Sequence, residues 1–130
     1  MDTVQDQYEK TVKQQVERHY TLIEISPDTF QMVVPYFHDD GDMIEIYLRP
    51  TNGLDENTII TDLGMTLMRL SFTEDIEELS IQEQIDSTVN SQRIDFNDDE
   101  FSLICDSSDI ISVIGSFAQF ISKIVSITQN

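Results

Sequence analysis

The 130-residue sequence has no tryptophan, four glycines, three prolines, two histidines and one cysteine. So little glycine and proline excludes collagen-like and low-complexity disordered classes. The single Cys105 excludes an internal disulfide and any paired-cysteine metal or redox motif. It stands in an alternating strand pattern, where a cysteine is expected to act as a small buried apolar residue. His19 and His38, with one distant cysteine, do not make a zinc ligand set. His19 is expected at the end of a helix, where an imidazole is favourable for capping reasons alone. His38 is expected at the edge of a turn, solvated. Gly41, Gly53, Gly64 and Gly115 each stand alone, so no glycine-rich loop offers to cradle a phosphate. There is no GxSxG, and no cysteine with a well-placed histidine, so nucleophilic catalysis has almost no candidates.

Positive charge is the scarcest property of all. Twenty-five acidic residues face seven basic ones, a net of −18. Residues 1–18 hold four acids and three bases, leaving −17 on residues 19–130, where only Arg49, Arg69, Arg93 and Lys123 oppose it. Such a surface repels free nucleic acid and anionic membrane and steers toward basic partners. Its ordinary use is solubility.

The length suits one domain over 1–130 with a single core. A helix is expected over 2–19, where Val4, Tyr8, Val12 and Val16 recur every four residues. Thr21 to Ile25 reads as a short strand ended by Pro27. Thr29 to Phe37 and Asp42 to Arg49 read as a hairpin about Asp40-Gly41, with Ile44, Ile46 and Leu48 on one face and Met43, Glu45 and Tyr47 on the other. A polar loop with the turn dipeptide Asn52-Gly53 precedes a third strand, Thr58 to Thr61. Asp62 is placed to cap a short helix with Leu63, Leu67 and Leu70 on its apolar side. Ser80 and Glu83 form a capping-box pattern for a helix to about Ser91, burying Ile81, Ile85 and Val89. Arg93 to Cys105 alternates as a second hairpin, with Ile94 and Phe96 against Phe101, Leu103 and Cys105. Asp106 to Asp109 supply caps for a long last helix. These elements make an α+β domain: an antiparallel β-meander and a hairpin packed against an N-terminal helix and a long C-terminal helix.

Ile110 to Ile127 is apolar enough to be weighed as a membrane span. Ser112, Ser116, Gln119, Lys123 and Ser126 draw a polar stripe down it, which predicts an amphipathic helix off the membrane. No charged segment followed by an apolar run opens the chain, so a secretory signal is not expected and a cytoplasmic location is. The apolar face of the last helix is wide. It predicts core packing together with some contact to a second copy, a homodimer with a charge at Phe120 as its test.

Calcium binding fails on spacing: Asp39-Asp40-Gly41-Asp42 lacks the alternate-oxygen pattern, and Asp55-Glu56-Asn57 lacks the glycine. A metal-dependent phosphodiesterase is the alternative enzymatic reading, with Asp42, Glu45 and Asp62 on or after neighbouring strands. Against it, the nearest cation is Arg49, and the acidic surface repels a phosphate backbone. No metal and no cofactor is expected. The remaining candidate is the acidity itself, with Asp39, Asp40, Asp42, Asp55, Glu56, Glu74, Asp75, Glu77, Glu78, Asp98, Asp99 and Glu100 in turns or at helix starts. Carboxylates held on a rigid frame can imitate duplex phosphates and occupy a basic groove, such as that of a nucleic-acid-binding protein.

The segment VVPYFHDDGDMIEIYLRPTNGLDENTIITDLGMTLMRL resembles the uncharacterised bacterial and prophage family known as domain of unknown function 1828. The similar elements are Asp42-Met-Ile-Glu-Ile-Tyr, then Ile60-Thr61-Asp62-Leu63-Gly64 with Thr66-Leu67, and the capped helix at Ser80, over roughly residues 20–125. Where the family often carries a second acidic residue after the Asp, this sequence has Leu63, which weakens any catalytic use of that turn. The resemblance implies a bacterial or phage origin in mobile-element neighbourhoods and no activity. Three functions are therefore expected in order. The first is a non-enzymatic acidic protein, for example an inhibitor of a host defence or DNA-processing factor. The second is the phosphodiesterase, and the third a dimerising structural or antitoxin-like partner.

Overall fold

Alternation of apolar and polar residues builds most of the molecule, described by a computed structural model over residues 12–51 and 57–128. The strands are β1 (Thr21–Ser26), β2 (Thr29–Val33), β3 (Ile46–Pro50), β4 (Asn57–Thr61), β5 (Asp95–Asn97) and β6 (Glu100–Asp106). They form one antiparallel sheet in the order β1-β2-β3-β4-β6-β5. The helices are α1 (Gln14–Glu17), α2 (Met65–Ser71), α3 (Leu79–Gln92) and α4 (Ile110–Val125). This is the α+β arrangement expected. The helix expected over 2–19 lies outside the described residues as far as residue 11. Its described end buries Val12 and Val16 completely.

The register shows how the core is made. Phe30, Leu48, Ile60 and Leu103 stand opposite one another on adjacent strands, and the first three are fully buried. Successive strand residues alternate faces, so Ile59 and Ile104, paired one position along, point the other way, and Ile104 is 60% exposed. The same holds at the edge strand β1, where Ile23 and Ile25 are exposed, as is Val33 on β2. Among the described residues no strand lies beyond β1.

α4 closes the core. Ile110, Ile114, Phe117, Ala118, Phe120, Ile121 and Ile124 are buried in it, while Ser112, Ser116, Gln119, Lys123 and Ser126 form the exposed stripe. With the 3-10 turn before it, Ser107–Val125 is 19 residues at a mean hydropathy of 1.3, enough by length and composition to cross a membrane. In this fold its apolar side is spent on the protein's own sheet and helices.

Three local expectations change. Leu63 does not lie on the apolar side of α2: it precedes the helix at φ 52, a left-handed conformation, next to Gly64 at φ 81. The capping box at Ser80 does not form, because α3 starts earlier and Glu78 is its cap, accepting from the Ser80 N–H. The first hairpin pairs only Phe30 to Met32 with Ile46 to Leu48. Beyond that, the connection loops out and closes again at a single bridge, Phe37 to Met43.

Cys105 is free and buried, as its strand position suggests. Burial, with the charges of Asp109 and Asp106, pushes its thiol up to about 11. The thiolate is the reactive form. Alkylation of the native protein at pH 8 is therefore expected to be about a hundredfold slower than that of an exposed thiol. A mass-spectrometric time course with and without denaturant reads this directly.

Candidate functional site

Acidic turns are where the sequence places its chemistry, and two of them adopt backbones that expose carboxylates. At the first tip the His38 N–H donates to the Asp42 carbonyl and the Gly41 N–H to the His38 carbonyl, at 2.8 and 3.0 Å. The three-residue loop Asp39-Asp40-Gly41 needs a left-handed last residue, and Gly41 at φ 93 supplies it without strain. The Asp40 and Asp42 carboxylates do not face solvent alone. Arg69 of α2 donates from one guanidinium nitrogen to Asp40 at 2.9 Å and from the other to Asp42 at 2.8 Å. That fork holds the Asp40 carboxyl below its usual range, with help from the Asp42 N–H. Two of the expected partner-binding acids are thus engaged internally, pinning the tip to the helix, while Asp39 is exposed.

At the second tip Asp98 and Asp99 have φ 52 and 64 between paired Asn97 and Glu100. This is the φ signature of a two-residue type I′ turn, which normally recruits Asn-Gly. Asp is among the few residues bearing a Cβ that tolerate left-handed backbone in such a turn. The chain places two exposed carboxylates there. The turn is clamped by its neighbours, since Phe96 stacks on Phe101 with ring centres 4.5 Å apart. Glu100 accepts from the Thr61 hydroxyl.

Beside that tip a cleft of about 340 Å³ has an apolar floor of Leu67, Ile76, Ile85 and Phe96. Its rim carries Glu77, Asp86 and Asp99, with no basic residue in the lining. Asp86 was not among the sequence candidates, since its place on the exposed side of α3 looks like ordinary solvation. Phe72 and Leu79 are 76% and 65% exposed at the α2–α3 junction, among Glu74, Asp75, Glu77 and Glu78. Of these acids, Asp75 accepts from the Glu77 N–H, and Glu78 caps α3. Asp55 and Glu56 lie outside the described residues.

The phosphodiesterase set is not assembled. Asp62 is fully buried, and its carboxylate accepts from the backbone N–H groups of Gly64, Thr66 and Phe101 at 2.9, 3.0 and 3.0 Å. It is the fastener joining β4, α2 and β6: the cap residue of α2 is Gly64, and Asp62, two residues before it, accepts from Thr66 in the first turn. Glu45 accepts from the Tyr47 hydroxyl at 3.2 Å, and Asp42 is held by Arg69. Among the described residues no three His, Cys, Asp or Glu side chains come together as a metal-holding group.

A second concavity, about 400 Å³, lies inward of the first tip and is lined by Gln31, His38, Asp42, Met43, Glu45, Met65, Thr66, Arg69 and Ile121. His38 is not simply solvated there. Its Nδ1 is buried and, among the described residues, is the one buried side-chain polar atom lacking a hydrogen-bond partner. Burial, then the Arg69 charge, lowers its pKa against the opposing pull of Asp40, Asp42 and Glu45, so the ring is neutral at pH 7. Nothing in the sequence marked this pocket, because its lining comes from β2, the first tip, α2 and α4.

A family model described as Domain of unknown function DUF1828 matches residues 34–124. The match covers the first tip, β3, β4, α2, α3, the second hairpin and nearly all of α4. No curated protein and no solved structure matches the chain.

Proposed function

The chain belongs to the DUF1828 family, whose description names no activity, and on that footing we propose that it is a non-enzymatic acidic docking protein. Its partner is a basic protein surface, such as the groove of a nucleic-acid-binding protein, in the phage or mobile-element setting that the family resemblance implies. Inhibition of a host defence or DNA-processing factor is the role this chemistry suits. The observation that carries the reading is the second tip. Two carboxylates sit at left-handed positions beside a cleft whose apolar floor is rimmed by Glu77, Asp86 and Asp99. The type I′ turn holds the two carboxylates in a fixed relation at the hairpin tip, as docking on a partner requires. The net charge of −18 is also far beyond the magnitude of about 2–8 that keeps a small domain soluble.

Capture from bacterial lysate, eluted first with a salt gradient and then with competing duplex DNA, tests it. A basic nucleic-acid-binding protein released by both is expected. The combined variant Glu77→Gln, Asp86→Asn, Asp99→Asn is expected to weaken that capture at least tenfold, while each single change shifts it only slightly. Capture that ignores salt, or survives the triple variant intact, returns the charge to a solubility role.

A further inference from the structure

We propose that the exposed side of α4, with Phe37 beside it, is the surface on which two copies of this chain pair about a twofold axis. The inference is independent of the docking reading, because this surface shares no residue with the cleft beside the second tip.

The first support is an apolar side chain held in the open. Phe37 is 60% exposed, and its backbone is fixed by the single bridge to Met43 that closes the first tip. Two grooves, of about 470 and 230 Å³, adjoin it. Phe37 and Ser122 line both and so stand between them. The larger groove continues over Tyr36, Ile44 and Ala118. A projecting ring and an apolar groove thus share one patch, which is what a self-complementary contact needs.

The second support is charge. The chain carries 25 acidic residues, yet α4 has none over its whole length, Ile110–Val125. The larger groove has no acid in its lining and does have Lys123. Two bodies that each carry −18 repel, and they meet at least cost through a face poor in carboxylates.

The third support sets the orientation. Lys123 lines the groove on one side of Phe37, and Asp39 lines the groove on the other. Both are exposed. Among the described residues neither has an ion pair, since Arg69 is taken by Asp40 and Asp42. A twofold axis near Phe37 exchanges the two sides. Lys123 of each copy then meets Asp39 of the other, so the pair is made twice, and each Phe37 enters the larger groove opposite.

Sedimentation of the full chain over a range of concentrations is expected to give a mass rising from 15.0 kDa towards twice that value. The rise is expected to come sooner in high salt, which screens the repulsion between the two bodies. Phe37→Ser is expected to weaken association at least tenfold with unchanged circular dichroism. Asp39→Lys lowers the net charge and would tighten a dimer governed by overall repulsion alone. Here it sets like charges face to face twice, and at least tenfold weakening is expected. Lys123→Glu is expected to weaken association likewise. Asp39→Lys combined with Lys123→Glu keeps the net charge of the parent and is expected to restore its affinity to within about threefold. A chain that stays at 15.0 kDa at every concentration and salt overturns the proposal. So does a dimer that keeps its affinity in Phe37→Ser, or a charge swap that binds as weakly as the single variants.

Discussion

Asp62→Ala is expected to remove about 3 kcal/mol or more of stability and to lower the melting temperature by on the order of 10 °C. The carboxylate accepts three backbone N–H groups, from Gly64, Thr66 and Phe101. Alanine leaves all of them without a partner, two in buried surroundings, and each orphaned donor costs about 1–3 kcal/mol. Net stability of a domain is only about 5–15 kcal/mol, so the loss is a large share of it. Asp62→Asn keeps one oxygen acceptor but turns an amide N–H₂ toward a backbone donor, and an intermediate loss is expected. The loss has a second consequence at Leu63, whose left-handed backbone is held between the Thr61 hydroxyl and the Asp62 carboxylate. Thermal melts by circular dichroism measure all of this. A variant that melts like the parent would return Asp62 to the list of chemical candidates, where its sequence context first put it.

Phe120→Asp is expected to leave no cooperative melting transition at all. Phe120 is 1% exposed, edge-on to Phe101 with centres 5.1 Å apart and stacked with Phe117 at 6.1 Å. Truncating a buried Phe costs about 3–5 kcal/mol, and an uncompensated buried carboxylate adds several more. The sum is of the order of the whole stability. From the sequence alone, a charge here tests a dimer through α4. In the fold it tests the core of one chain, and a change of mass would follow from unfolding. Phe120→Leu, which preserves most of the volume, is the control and is expected to stay folded. Analytical ultracentrifugation beside calorimetry separates the readings: a folded Phe120→Asp monomer from a dimeric parent would restore the interface at this residue.

Much of this architecture is legible in local pattern. Period-two alternation locates β3 and the β5–β6 hairpin, β-branched content locates β1, and the four-residue spacing of Ile81, Ile85 and Val89 identifies the buried side of α3. Alternation reports which face a side chain takes, and it does so without knowledge of the neighbour. Long-range choices escape it. The sequence around Asp62 reads first as a helix cap, with an exposed ligand as the alternative. What decides is Phe101, a residue brought alongside only when β6 pairs with β4. Arg69 looks like a lone surface cation until the first tip folds onto α2. The capping box at Ser80 is outcompeted because Leu79 is already helical and Glu78 takes the Ser80 N–H that the Glu83 side chain would have accepted. At the site level, the acidic turns are visible from composition. The His38 pocket is not, because no single segment holds more than a fragment of its wall.

The outer edge of β1, open among the described residues, bears on how copies of the chain coexist in a crowded solution. Among the described residues no strand pairs with that edge, and exposed Ile23 and Ile25 flank it, the combination that templates strand addition from a neighbouring molecule. Folded proteins commonly blunt such an edge with lysines, a bulge or a covering loop. β1 does have an irregularity between Glu24 and Ser26, but its stronger guard is mutual repulsion between bodies that each carry −18. That guard is a property of ionised carboxylates. It fades as the medium approaches the sequence isoelectric point near 4.1, and added salt thins it at any pH. The colloidal stability of this protein is therefore set by its proton and ion environment, at the edge that the described residues leave open.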